Sequence, residues 1–204
     1  ERVHLSTDAG QSVLEGAFRR PFQEPAKKGR KIFGPEYALT YRGLTGHAQG
    51  KAFVRTGRDV KLSIHRPRPL NSDQEVALAR ADVSALELLH FDGLTADFWI
   101  YKLARMAHAL AKTDGMPPSP HRRKQADALI SDMADAVHLY QRLKCPDDQM
   151  RALLKEYGLW TEPPFDPSAA IFRYFPDQMV DLTPLAIDGW LQQFKANIRA
   201  FLNK

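Results

Sequence analysis

The sequence predicts a mixed α/β chain, with short strands in its first half and helices through its second. Two observations carry that expectation. Between residues 50 and 91 the apolar residues alternate, or run for strand length, between turn formers; from Thr95 onward they recur every three or four residues. The 204 residues suffice for one sizeable core, so the chain reads as a single globular unit over 1–204, with a strand-containing segment over 1–94 and a helical segment over 95–204.

The opening "ERVHLSTDAGQSVLEGAF" is patterned from its first residues and carries no initiating methionine, which is expected of a piece of a longer chain. Residues 19–31, "RRPFQEPAKKGRK", hold six basic residues with two prolines and a glycine, and predict a solvated loop. In "GKAFVRTGRDVKLSIHRPRP", residues 50–69, two strand-forming runs flank Thr56, Gly57 and Arg58, which predicts a small hairpin. Along its second run Val60, Leu62 and Ile64 share one face while Asp59, Lys61, Ser63 and His65 share the other. "ALELLHF", residues 85–91, is a further strand, and "DGLT" turns from it to Thr95, the expected cap of a helix over about 96–112.

In that helix Trp99, Leu103, Met106 and Leu110 fall on one face, with Asp97 near the positive end. Ser119 and Pro120 begin a helix expected to run to about Lys144, its inward stripe made of Ala126, Leu129 or Ile130, Met133, Val137, Tyr140 and Leu143. Pro146, Asp147 and Asp148 start a short helix through Met150, Leu153, Leu154 and Tyr157, which Gly158 stops. After the rigid connector "TEPPFDP", Thr183 and Pro184 begin the last helix, with Ile187, Trp190, Leu191, Phe194, Ile198 and Phe201 inward.

A net charge of +5 favours anionic partners without choosing among a nucleotide sugar, a nucleic acid and an acidic lipid. The single cysteine, Cys145, rules out an intramolecular disulfide and a multi-cysteine zinc site. No apolar run approaches the roughly 20 residues that span a bilayer, and no secretory pattern opens the chain, so the expected location is cytoplasmic. P-loop, dinucleotide-binding, zinc-protease and nucleophile-elbow motifs are absent from the sequence.

Two places stand out as candidate sites. "LLHFDGLT" passes from a strand end into a helix N-terminus, where open α/β sheets place ligands, and puts His90 and Asp92 at that mouth. For His90 a satisfied inward histidine is an equal alternative, and Asp92 before a glycine is also an ordinary turn former. "HRRK", residues 121–124, sets cations in a first helical turn against the dipole, which an anion at Arg122 and Arg123 would relieve; a solvated basic end explains the same residues.

Taken in order, "GKAFVRT", "HRP" and "LLHFDGLTADFWIYKL" resemble the C-terminal half of a bacterial glycosyltransferase of the family 2 type, which has the GT-A fold. The likeness covers residues 46–104, with a looser one over "LSTDAGQSVLEGAFRRPF". It implies transfer of a sugar from a nucleotide sugar to a glycan or other acceptor, with a divalent metal, Mn or Mg, as cofactor. Carried over by position, His65 is the metal or diphosphate ligand, Lys51 and Arg55 contact the diphosphate, and His90 and Asp92 line the acceptor side. The D-x-D aspartate pair of such enzymes is missing from the sequence, as is an evident catalytic base. A different class of function fits the composition as well: a basic helical interaction module that binds an acidic protein or nucleic acid through residues 19–31 and 121–124.

Overall fold

The computed structural model describes residues 2–5, 12–22, 26–46, 54–61, 67–70, 89–112, 119–162, 167–176 and 181–202. Apart from β6 its described strands lie in the first half, and apart from α1 and a 3-10 helix its helices lie from Ala96 onward, so the chain is mixed α/β as the sequence predicts. Strands β1 (Arg2–His4), β2 (Phe18–Arg19), β5 (Leu89–His90) and β6 (Trp160–Thr161) form one sheet in the order β5-β1-β2-β6. β1 and β5 run parallel, with Val3 opposite His90, and the other pairs are antiparallel. The parallel pair aligns the C-terminal end of β5 with that of β1, and Asp92 follows two residues after His90.

Residues 26–31 are not the loop the composition predicts. Ala26–Phe33 form helix α1, continued by a 3-10 helix over Gly34–Leu39. The reason is amphipathic: Ile32 and Phe33 are buried in the core while Lys27, Lys28, Arg30 and Lys31 stay exposed, so one helix satisfies both the apolar and the basic residues. Arg19, the first of those six basic residues, is fully buried.

Of the predicted hairpin, residues 50–53 and 62–66 lie outside the described residues. β3 (Val60–Lys61) pairs with β4 (Arg68–Pro69), with Val60 opposite Pro69 and Lys61 opposite Arg68. Leu70 donates its N–H to the Asp59 carbonyl at 3.1 Å, beside the Val60–Pro69 pair.

Helix α2 (Ala96–Lys112) is capped as predicted: Thr95 Oγ1 accepts the Phe98 N–H at 3.1 Å. Trp99 and Leu103 are fully buried and Met106 is half-buried, in line with the predicted face. The helix expected to run unbroken from Pro120 to Lys144 is two helices, α3 (Pro120–Ser131) and α4 (Ala136–Lys144). Asp132 Oδ1 accepts the Asp135 N–H at 3.0 Å, giving the backbone an alternative to the helical bond. Before the break Ala126 and Leu129 are buried, so of the two alternatives the stripe takes Leu129; after it the stripe is shifted, so Met133 and Val137 face solvent while Ala136, Leu139, Tyr140, Leu143 and Lys144 are buried.

Helix α5 (Asp148–Glu156) is capped by Asp147, whose Oδ1 accepts the Met150 N–H at 2.7 Å, and it buries Met150, Leu153 and Leu154. α6 (Pro167–Tyr174) and α7 (Pro184–Leu202) complete the chain. On α7 Leu191 is buried, but Trp190 and Phe194, predicted inward, are half-exposed; the side chains of Ile198 and Phe201 lie outside the described residues. The core is one cluster in which Trp99, Leu103, Leu129, Tyr140, Leu143 and Leu154 bring α2, α3, α4 and α5 together, with Leu5, Phe22 and Phe33 closing it from the strand side. Among the described residues no helix is long and apolar enough to cross a membrane.

Candidate functional site

Asp92 is the centre of the most highly charged buried place among the described residues. The turn that delivers it is fixed by Gly93, whose φ of +74° suits a residue without a side chain; a Cβ there would come within 2.7 Å of Trp99. Trp99 thus packs directly beneath the turn, and Tyr140 donates its hydroxyl toward the carbonyls of Gly93 and Leu94, both at 3.3 Å. The result is a carboxylate with no exposure, held at the end of β5 and facing the first turn of α3.

Two cations share one oxygen of that carboxylate. Arg122 Nη2 lies 2.6 Å and Lys102 Nζ 2.8 Å from Asp92 Oδ1, and Oδ2 has no hydrogen-bond partner among the described residues. Thr45 Oγ1 is likewise buried without a partner in the neighbouring segment. Burial pushes the Asp92 carboxyl up, but Arg122, Lys102 and Lys144 outweigh it and hold the carboxyl well below the usual carboxylate range. Lys144, on the buried stripe of α4, is itself fully enclosed; burial pulls its ammonium down to about 7, against the opposing attraction of Asp92.

Two imidazoles border the same place. His90, half-buried, lies beside Gly46 together with Asp92 Oδ2: both come within 3.5 Å of where a Gly46 Cβ would stand. His121 stacks on Tyr41 with ring centroids 5.6 Å apart and bonds the Gly46 backbone. Burial lowers both histidines below their ordinary value, and the nearby Arg122 guanidinium adds to the effect, so both are neutral at pH 7. Gln125, one turn after His121, donates to the carbonyls of Leu39 at 2.7 Å and Thr45 at 3.0 Å, which pins the 39–46 segment to α3.

His90, Asp92 and Arg122 therefore meet, although the sequence offers them as two separate places, and the first turn of α3 finds its anion inside the protein. Ser119 stands at the cap position of α3 without capping it; its Oγ lies 3.5 Å from His121 Nε2. Arg123 is exposed, and Arg55 is exposed beside the Thr56–Gly57 turn. Lys51 and His65 lie outside the described residues. Lys102, Lys144, His121 and Gln125 were not singled out from sequence. For Lys144 a signal existed: it continues the Ala136, Leu139, Tyr140, Leu143 spacing at the eighth position, on the buried stripe.

The cluster does not fit a divalent cation. Its one carboxylate already carries two cations with a third nearby, and among the described residues no three His, Cys, Asp or Glu side chains gather as metal ligands. It fits an anion: Arg122 and Lys102, joined by Lys144 as the pH falls toward 7 and below, outweigh one carboxylate beside two neutral imidazoles, with Lys102 47% and Arg122 14% exposed at the edge. No protein-family model matches the chain, and no curated protein and no solved structure matches it.

The charges set a pH dependence. The folded Asp92 value is depressed, so its contribution to stability is full above about pH 4 and is lost as the pH falls further. The folded Lys144 value is depressed to about 7, so between about pH 10 and that value the unfolded chain binds more protons and stability falls as the pH falls. Thermal unfolding followed by calorimetry is expected to show a midpoint that climbs between pH 7 and 10, and Lys144→Met is expected to flatten that climb. An unchanged slope in the variant would contradict the buried ammonium.

Proposed function

We propose that the chain is the acceptor-side part of a glycosyltransferase-like domain and that it receives the diphosphate of a nucleotide sugar at the Asp92 cluster. The observation that carries the reading is the excess of positive charge around one buried carboxylate at the end of β5, the end where α/β sheets place their ligands. The resemblance of "LLHFDGLTADFWIYKL" to family 2 glycosyltransferases supports it, since Asp92 and Lys102 both fall within that stretch. Lys102 and Arg122 would take the charge that develops on the leaving diphosphate as the glycosidic bond breaks. Asp92, ionised and fully enclosed, would hold Arg122 and Lys102 at the edge of the cluster rather than touch the ligand, and with its proton affinity so depressed it would not serve as a base.

The resemblance also assigns His65 to a metal; no step above passes through it. Calorimetric titration with UDP-glucose and GDP-mannose, with and without Mn, tests the reading on the wild type and on His65→Ala. Heat with one donor supports a nucleotide-sugar site, and Mn dependence that disappears in His65→Ala places the metal on that histidine. A folded protein that gives no heat with either donor contradicts the reading and favours the basic interaction module.

A further inference from the structure

Beside the Asp92 cluster lies a groove of about 460 Å³ between α2 and α7, lined by Phe98, Tyr101, Lys102, Arg105, Met106, Leu191 and Phe194. Its α2 wall follows from spacing: Phe98, Tyr101, Lys102 and Arg105 stand at positions i, i+3, i+4 and i+7 and so share a face, turned away from the buried Trp99 and Leu103. That stretch of α2, from Phe98 to Met106, is about 12 Å long at 1.5 Å per residue. Asp188, bonded to Thr95, and Gln192, which donates to Asp97 at 3.2 Å, tie α7 across the start of α2 and leave Phe194 half-exposed on the groove side.

The lining is apolar and cationic together. Among the described residues no carboxylate lines it, while Arg105 and Lys195 each hold their charge over the Tyr101 ring, at 5.7 and 5.1 Å from its centroid. Lys102 belongs to both places, since it lines the groove and reaches Asp92. The size is that of a small-molecule site, and too short for an amphipathic helix to lay several turns along it.

The geometry points to an amphiphile with an anionic head as the occupant of this groove: a single apolar chain lying against Phe98, Met106, Leu191 and Phe194, with its phosphate at Lys102 and Arg105. Resting on the transferase reading, this makes the acceptor a molecule carried on an apolar chain, brought to the donor site by the lysine the two places share.

Dodecyl phosphate, kept below its micellar concentration and titrated without any donor, is the test. The expected result is binding that weakens at least tenfold in Phe194→Glu and in Arg105→Glu, with dodecyltrimethylammonium and inorganic phosphate at least tenfold weaker on the wild type. Both substitutions are at half-exposed or exposed positions, and an unchanged unfolding midpoint verifies the fold. Equal binding by the wild type and both variants overturns the groove, and so does equal binding of the cationic amphiphile. Binding only to anionic phospholipid vesicles, indifferent to Phe194→Glu, also overturns it in favour of a membrane face. UDP-glucose titrated into Phe194→Glu separates the two readings: donor binding retained with dodecyl phosphate lost confirms two places, and dodecyl phosphate bound without donor binding leaves the groove standing while the transferase reading fails.

Discussion

Asp92→Asn is expected to destabilise the fold by about 3 to 5 kcal/mol, the usual cost of breaking a buried ion pair by removing one partner. The side chain keeps its shape but loses its charge, and what remains is a buried excess of cations. Arg122 at 14% exposure cannot turn fully to water, and Lys144 with none cannot turn at all. Lys144 can respond by giving up its proton, since it already sits near 7 with Asp92 in place and would fall lower without it. The variant should therefore lose most stability in acid, where that proton cannot be shed. Urea unfolding at pH 6 and pH 9 reads both effects. Lys102→Met is the contrast: its ammonium is 47% exposed, and the same measurement should find a loss of about 1 kcal/mol or less. Equal losses for the two variants would mean that Asp92 is not the hub described.

Trp99→Ala should cost about as much, roughly 3 to 5 kcal/mol, for a different reason. The indole is fully buried beneath Gly93 and 5.8 Å from the Tyr140 ring, so its removal leaves a cavity directly under the turn that presents Asp92. Tyr140 bonds that same turn, and its collapse toward the cavity would drag the carboxylate with it. Trp99→Phe should be far milder. The indole Nε1 is buried without a partner, so the smaller ring gives up volume but also removes an unsatisfied donor. If urea unfolding found Trp99→Phe as damaging as Trp99→Ala, the unsatisfied indole nitrogen would not be part of the balance.

The parts of the fold that were legible in the sequence are those governed by local rules. Thr95 caps α2, Asp147 caps α5, and the Trp99 and Leu103 spacing marks the buried face of α2, because each depends on residues a turn apart. The α3–α4 break was not legible: Leu129, Met133 and Val137 continue an apolar period, and the Asp132 side chain bonding back to Asp135 diverts it. The strand pairing of Val60 with Pro69 escaped for a similar reason, since register is decided between segments rather than within one.

The site was half legible. His90 and Asp92 follow from a strand that ends at a helix N-terminus, and Arg122 from a cation placed against a helix dipole. That the two oddities answer each other, Asp92 with Arg122 across 30 positions, is a fact of tertiary packing that no local pattern carries. Lys102 and His121 became visible for the same reason only once α2 and α3 were set side by side, and Gln125 only through the carbonyls it holds.

The most direct test of a diphosphate at the Asp92 cluster is UDP-glucose titrated calorimetrically into Lys102→Met and Arg55→Met in parallel. Lys102 lies at the exposed edge of the cluster, and Arg55 lies on a solvent-facing turn within the stretch that the glycosyltransferase likeness assigns to the diphosphate. The account predicts at least a tenfold loss of affinity in Lys102→Met and wild-type binding in Arg55→Met. The reverse pattern, with Lys102→Met binding as the wild type does, would contradict it and move the diphosphate to the hairpin.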